Sequence, residues 1–173
     1  MDTRPREAIE KIRAWVQGEI KMMDCRAYGG RAMSAARDLK GAPRYAAYAA
    51  GQAAVTAHVA AHDLGAAAYA IKAVKASVVK DFAEASGKIE CAWQRDQLPD
   101  QIRDLVLDDQ RLRNPICRNV LIVNFIRLSK IRCSIYNVKN EKYRSDTHIH
   151  LHQVFGKVEQ AVIKFLNRLK AFT

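Results

Sequence analysis

Residues 51–70 read GQAAVTAHVAAHDLGAAAYA, a stretch in which eleven of twenty residues are alanine or glycine. Alanine has the highest intrinsic helix propensity and loses no side-chain entropy on folding, so the segment is predicted to be helical. It also buries little apolar area per residue. Its stability therefore has to come from helix axes that approach closely, with the small side chains as the contact surface. Pro43 opens the region and no proline follows until Pro99. This predicts one long helix over 42–78, or two helices broken near Asp63-Leu64-Gly65. Gly51 and Gly65 would each cost about 1 kcal/mol in a helix interior. Close approach of a neighbouring helix explains them, as does a break at Gly65.

Helix signals recur on either side. DTRPREAIEKIRAWVQGEIKMM offers Thr3 as a cap, Pro5 and Glu7 in the first turn, and Ile9, Ile12, Val16 and Ile20 at helical spacing, predicting a first helix over about 5–23. MDCRAYGGRAMSAARDLKG predicts a second, capped by Asp24, with Gly29-Gly30 as an interior weak point and Gly41 just past its end. Pro99 starts another, with Ile102, Leu105, Val106 and Leu112 as its apolar stripe. The expected fold is all-α: a compact bundle of four to six short-to-medium, Ala-rich helices joined by short loops.

The chain of 173 residues carries two compositions. Residues 1–113 hold 25 alanines and residues 114–173 hold two, the change falling near RLRNPICRNV. The expected division is a helical domain over 1–117 and a basic tail over 118–173. The switch fits a domain boundary, and equally a fused or frame-slipped terminus. Charge divides the same way. Of the net +11, residues 1–113 contribute 18 Lys and Arg against 15 Asp and Glu, and residues 114–173 contribute 11 against 3. A phosphate footprint is a clustered face, so nucleic-acid binding is an expectation for the tail alone. Within the tail, NVLIVNFIRLSKIRCSIYNV has strand-like composition. HQVFGKVEQAVIKFLNRLKAF is an amphipathic helix, with Val158, Ala161, Val162, Phe165, Leu169 and Phe172 on one face and Lys157, Lys164 and Arg168 on another. It either docks onto the head or faces a membrane or an acidic partner.

The apolar run VLIV, extended by Phe125 and Ile126, is far below the ~20 residues of a membrane helix. The N-terminus mixes charges of both signs without an apolar stretch, which excludes a secretory signal and predicts a cytoplasmic protein. Cys25, Cys91, Cys117 and Cys133 are scattered, without a C-x-x-C pair, and read as reduced thiols. No Walker loop, dinucleotide fingerprint or nucleophile elbow occurs. Asp108 and Asp109 diverge on a helix and read as partners of Arg111 and Arg113.

Two histidine groups carry what chemistry there is. His58 and His62 lie at i and i+4, which on one helix sets both rings on one face, able to grip a metal ion, with Asp63 placed to orient a histidine. The spacing lacks the glutamate of H-E-x-x-H and a third ligand. His58, His62 and Asp63 are therefore candidates for filling polar gaps in a bundle or for contacting a partner. His148, His150 and His152 in THIHLH share a face if that stretch is extended, and read equally as chance histidines in a tail.

The runs DTRPREAIEKIRAWVQGEI, AAGQAAVTAHVAAHDLGAAAYAIKAV and WQRDQLPDQIRDLVLDDQRLRN resemble the bacterial immunity-five-like family of immunity proteins, over about residues 4–117. Against that family the chain is shortened at its N-terminus, and its tail does not match. The resemblance implies a small helical, non-enzymatic protein, toxin-antitoxin-like in role, that neutralises a bacterial toxin by binding it. It carries across no catalytic residue and no cofactor. Alternatives of other classes are a metal-binding module or enzyme using His58 and His62, and a nucleic-acid-associated protein acting through its tail. The implied partner is a protein such as a cognate toxin, with homo-oligomerisation also open.

Overall fold

A computed structural model of the chain describes residues 2–115, 117 and 119–121. Six helices and no strands occur among them: α1 (Arg4–Val16), α2 (Met22–Ala35), α3 (Gly41–Val55), α4 (His62–Ala76), α5 (Lys80–Asp96) and α6 (Asp100–Arg113). The expected all-α bundle is the fold. The strand-like segment beyond residue 121, the amphipathic segment and the THIHLH histidines lie outside the described residues.

α1 ends seven residues before the expected position, for a local reason. Gln17 caps it, Gly18 follows at φ +77, and the Gly18 and Glu19 amides donate to the Trp15 and Ala14 carbonyls at 2.9 and 2.8 Å. This is a Schellman ending, which the left-handed conformation open to glycine permits. Ile20, counted above as part of the helical stripe, lies beyond that ending and packs against the cluster of Ala8, Ile12, Cys25, Ala32 and Ala54. Thr3 takes the capping position of α1, but its hydroxyl bonds the Glu7 carboxylate at 2.6 Å rather than a backbone amide. Asp24 does not cap α2: Lys21 does, and Asp24 sits in the first turn, where a carboxylate favours the helix dipole.

The alanine-rich region forms two helices. The break covers 56–61, ahead of the expected Asp63-Leu64-Gly65, and Gly65 lies inside α4. A single helix over 42–78 would extend about 55 Å at 1.5 Å per residue and leave one alanine face per half unpartnered. Folding back lets the halves cover each other. Val55, Thr56 and Val59 are β-branched, and the Thr56 hydroxyl bonds the Gln52 carbonyl at 3.0 Å, so the turn falls at a cluster of weak helix formers. α3 is then central, packed against α1, α2 and α4, with α5 against the other side of α4.

The core consists of small residues. Ile9, Ala50, Ala53 and Ala66 join α1, α3 and α4, and Ala49, Ala70 and Ala73 join α3 to α4. The Gly29 and Gly51 backbones face each other across α2 and α3. A Cβ on Gly29 would lie 2.8 Å from the Gly51 oxygen, and one on Gly51 would lie 2.9 Å from the Gly29 oxygen. Close approach, the expected explanation of Gly51, is what is found. α6 departs from its expected stripe: Ile102 is buried and Val106 packs against Leu64, Ala68, Ile71, Cys91 and Leu121, but Leu105 and Leu112 are 56% and 52% exposed.

Candidate partner-binding site on α3 and α4

The break between α3 and α4 decides what the histidines can do. His58 lies in the connecting turn, exposed, while His62 is the first residue of α4. The i, i+4 geometry of a shared helix face is therefore absent, because the helix it needs is interrupted between them. His62 Nδ1 instead lies 2.8 Å from Gln52 Oε1, and Gln52 Nε2 donates to Met33 Sδ at 3.3 Å. His62 is thus tied through one amide side chain to α3 and α2.

Asp63 sits at the base of the turn. Its Oδ1 accepts the Leu64 amide and, at 2.9 Å, Arg113 Nη2 from the end of α6. The same nitrogen donates to the Ala61 carbonyl at 3.2 Å, and Arg113 Nε lies 3.1 Å from Asp109 Oδ1. Burial pushes the Asp63 carboxyl above its ordinary pKa, while the Leu64 amide and the Arg113 charge act in the opposite direction. Arg113 therefore staples α6 to the turn. Asp109 and Asp108 pair with Arg113 and Arg111, as their spacing suggests.

The turn presents His58, Val59, Ala60 and Ala61 to solvent above this support. Sequence reasoning singled out His58, His62 and Asp63 but missed Gln52 and Arg113. Gln52 was legible in principle, one α3 turn before Thr56. Arg113 is fifty positions from Asp63 and carries no sequence signal of that contact.

From the Gln52–His62 end, a line of side chains continues along the two helices. Tyr48 and Tyr69 stack with ring centroids 5.0 Å apart, and Tyr45 and Tyr69 at 6.5 Å. The Arg44 guanidinium lies 5.8 Å from the Tyr48 centroid and Lys72 Nζ lies 5.1 Å from that of Tyr69. The spacing 45, 48, 52 on α3 and 62, 69, 72 on α4 keeps these groups on one antiparallel seam.

Metal chemistry finds no support at this corner: no group of three or more His, Cys, Asp or Glu able to hold a metal ion occurs among the described residues. Among the described residues the thiols are set for packing. Cys25 donates to the Ala54 carbonyl at 3.2 Å and burial pushes its pKa up to about 12, and burial raises Cys117 as well. No helix among the described residues is long and apolar enough to cross a membrane.

No curated protein and no solved structure matches the chain. One family model does, over residues 1–101, which takes in α1 to α5 and the first two residues of α6. That model is described as "Imm-5 like putative immunity protein", and the chain, matched over more than half its length, belongs to this family.

Proposed function

We propose that this protein is a non-enzymatic helical binder that neutralises a bacterial toxin in the cytoplasm by direct contact. The observation that carries the reading is membership of the immunity family across five of the six helices. The α3–α4 turn supports it. Exposed His58 and Val59 stand on a corner held by the Asp63–Arg113 pair on one side and the His62–Gln52 bond on the other. A projection fixed before binding loses little conformational entropy on association. His58 is assigned a partner contact, and His62 and Asp63 hold the corner that presents it.

The test is co-expression with each toxin gene found beside the coding sequence. The expected outcome is restored growth and co-purification of one toxin, with His58→Ala weakening that complex by about tenfold, as for a residue near the centre of an interface. If none of the neighbouring toxins is neutralised or bound, the reading fails.

A further inference from the structure

The seam from Arg44 to His62 has a use that the fold itself does not require. Its charge is one-sided. α3 carries Arg44 and no carboxylate, and the single carboxylate of α4, Asp63, is held by Arg113 at the far end. Among the described residues no carboxylate pairs with Arg44, which is exposed. The rings are half-buried and stacked on one another, and the Arg44 guanidinium lies 5.8 Å from the Tyr48 centroid.

We infer that Arg44, Tyr45, Tyr48 and Tyr69, closed at one end by the Gln52–His62 bond, form the surface that receives an acidic patch of the protein partner. This rests on the proposed binding function and names the chemistry of its partner. Tyrosine and arginine dominate interface energetics because they offer large, stiff contact area together with directed donors. Arg44, steadied over Tyr48, offers a planar fork that matches a carboxylate. Gln52 and His62 supply polar termination of the seam.

A single-stranded nucleic acid is the competing occupant, and the geometry disfavours it. Base stacking needs free ring faces. Here Tyr48 has Tyr69 and Arg44 as ring neighbours, and Tyr69 has Tyr45, Tyr48 and Lys72. An acidic protein surface needs an accessible cation, and Arg44 is exposed.

The experiment titrates the full chain into fluorescently labelled poly-L-glutamate and, separately, labelled oligo-dT, following anisotropy at low salt. Arg44→Glu is expected to weaken poly-L-glutamate binding by about tenfold and Tyr48→Phe by about threefold. Arg6→Glu, at an exposed position of α1 and with the same change in net charge, is expected to stay within about twofold. Circular dichroism checks that each variant folds. Equal losses for Arg44→Glu and Arg6→Glu overturn the inference, since only long-range charge would then be at work. So does failure of the wild-type chain to bind poly-L-glutamate, or dependence on Arg44 for oligo-dT alone. In the toxin assay, full protection by Arg44→Glu overturns the seam as the contact surface and leaves neutralisation standing. Absence of protection by the wild-type chain, with Arg44-dependent poly-L-glutamate binding intact, overturns neutralisation and keeps the seam as an acidic-polypeptide site.

Discussion

The α2–α3 contact and the α5–α6 layer solve the problem of attachment in opposite ways. At Gly29 and Gly51 the two backbones meet with no room for a Cβ, and the surrounding side chains are mostly alanine. α6 instead fully buries only Ile102 and Gln110, packs Val106 in part, and is otherwise held by long polar side chains. Arg95 Nε donates to Gln110 Oε1 at 3.0 Å, Arg103 reaches the Arg95 and Leu98 carbonyls at 2.8 and 2.9 Å, and Arg113 reaches Asp63. Close packing of small residues defines one geometry and tolerates no added volume. Anchoring by extended side chains tolerates displacement but leaves apolar residues in water.

The largest effect should come from adding one methyl group at the tight contact. A Cβ at position 29 would meet Val55 Cγ1 at 2.6 Å and the Gly51 oxygen at 2.8 Å, and a backbone oxygen in mid-helix cannot step aside. Gly29→Ala is expected to lose about 2–3 kcal/mol by overpacking, even after the gain in helix propensity. At Gly30, the next residue, nothing lies within 4 Å of the added carbon. Gly30→Ala is therefore expected to stabilise by up to about 1 kcal/mol. Urea unfolding midpoints of the two variants decide the matter; similar shifts would break the distinction between the two sides of α2.

Arg113→Ala comes second and tests the polar anchoring. Arg113 and Asp63 are each about a quarter exposed, so solvent moderates the loss, and roughly 1–2 kcal/mol is expected near pH 7. The pH dependence has a definite sign. Burial raises the folded-state pKa of Asp63 above its unfolded value, so its contribution to stability is fully present below the unfolded pKa and declines as pH rises through the folded one. Removing Arg113 takes away a group that lowers this pKa, which widens the window. The deficit of the variant should therefore shrink as pH falls from about 7 toward about 4, because a protonated Asp63 no longer needs the cation. A deficit that is constant over this range would mean that Arg113 acts through its contact with the Ala61 carbonyl instead.

How legible these features were in the sequence follows the same division. Helix propensity, Pro43, Pro99 and the alanine density are local signals, and they predicted an all-helical bundle with tight contacts, including the role of Gly51. The break after Val55 was placed some residues late because Gly65 is the more conspicuous breaker, yet Gly65 sits in α4 against the Gln52 side chain. The pairing of histidines at i and i+4 failed for the same reason: it assumed a continuous helix. Leu105 and Leu112 share a helical face, and periodicity alone cannot say whether another element covers it. The tyrosine seam was missed because each ring looks ordinary in its own helix. Only the antiparallel return of α4 brings Tyr69 against Tyr45 and Tyr48.

The smallest expected effect lies on the outer face of α5 and sharpens the comparison most directly. Phe82 and Ile89, seven residues apart on one face, are 63% and 68% exposed, so most of their apolar surface is already in water in the folded chain. Stability depends on the change in exposure between folded and unfolded states, and here that change is small. Phe82→Ser and Ile89→Ser should each stay within about 0.5 kcal/mol of the parent, and the double variant should show additivity. Thermal unfolding of the full chain measures this. A loss above about 1 kcal/mol for either variant would mean that this face is covered in solution, and a non-additive pair would mean that one surface covers both residues. In that event α5 would bury apolar area on two sides, and the contrast with the glycine contact would narrow to α6 alone.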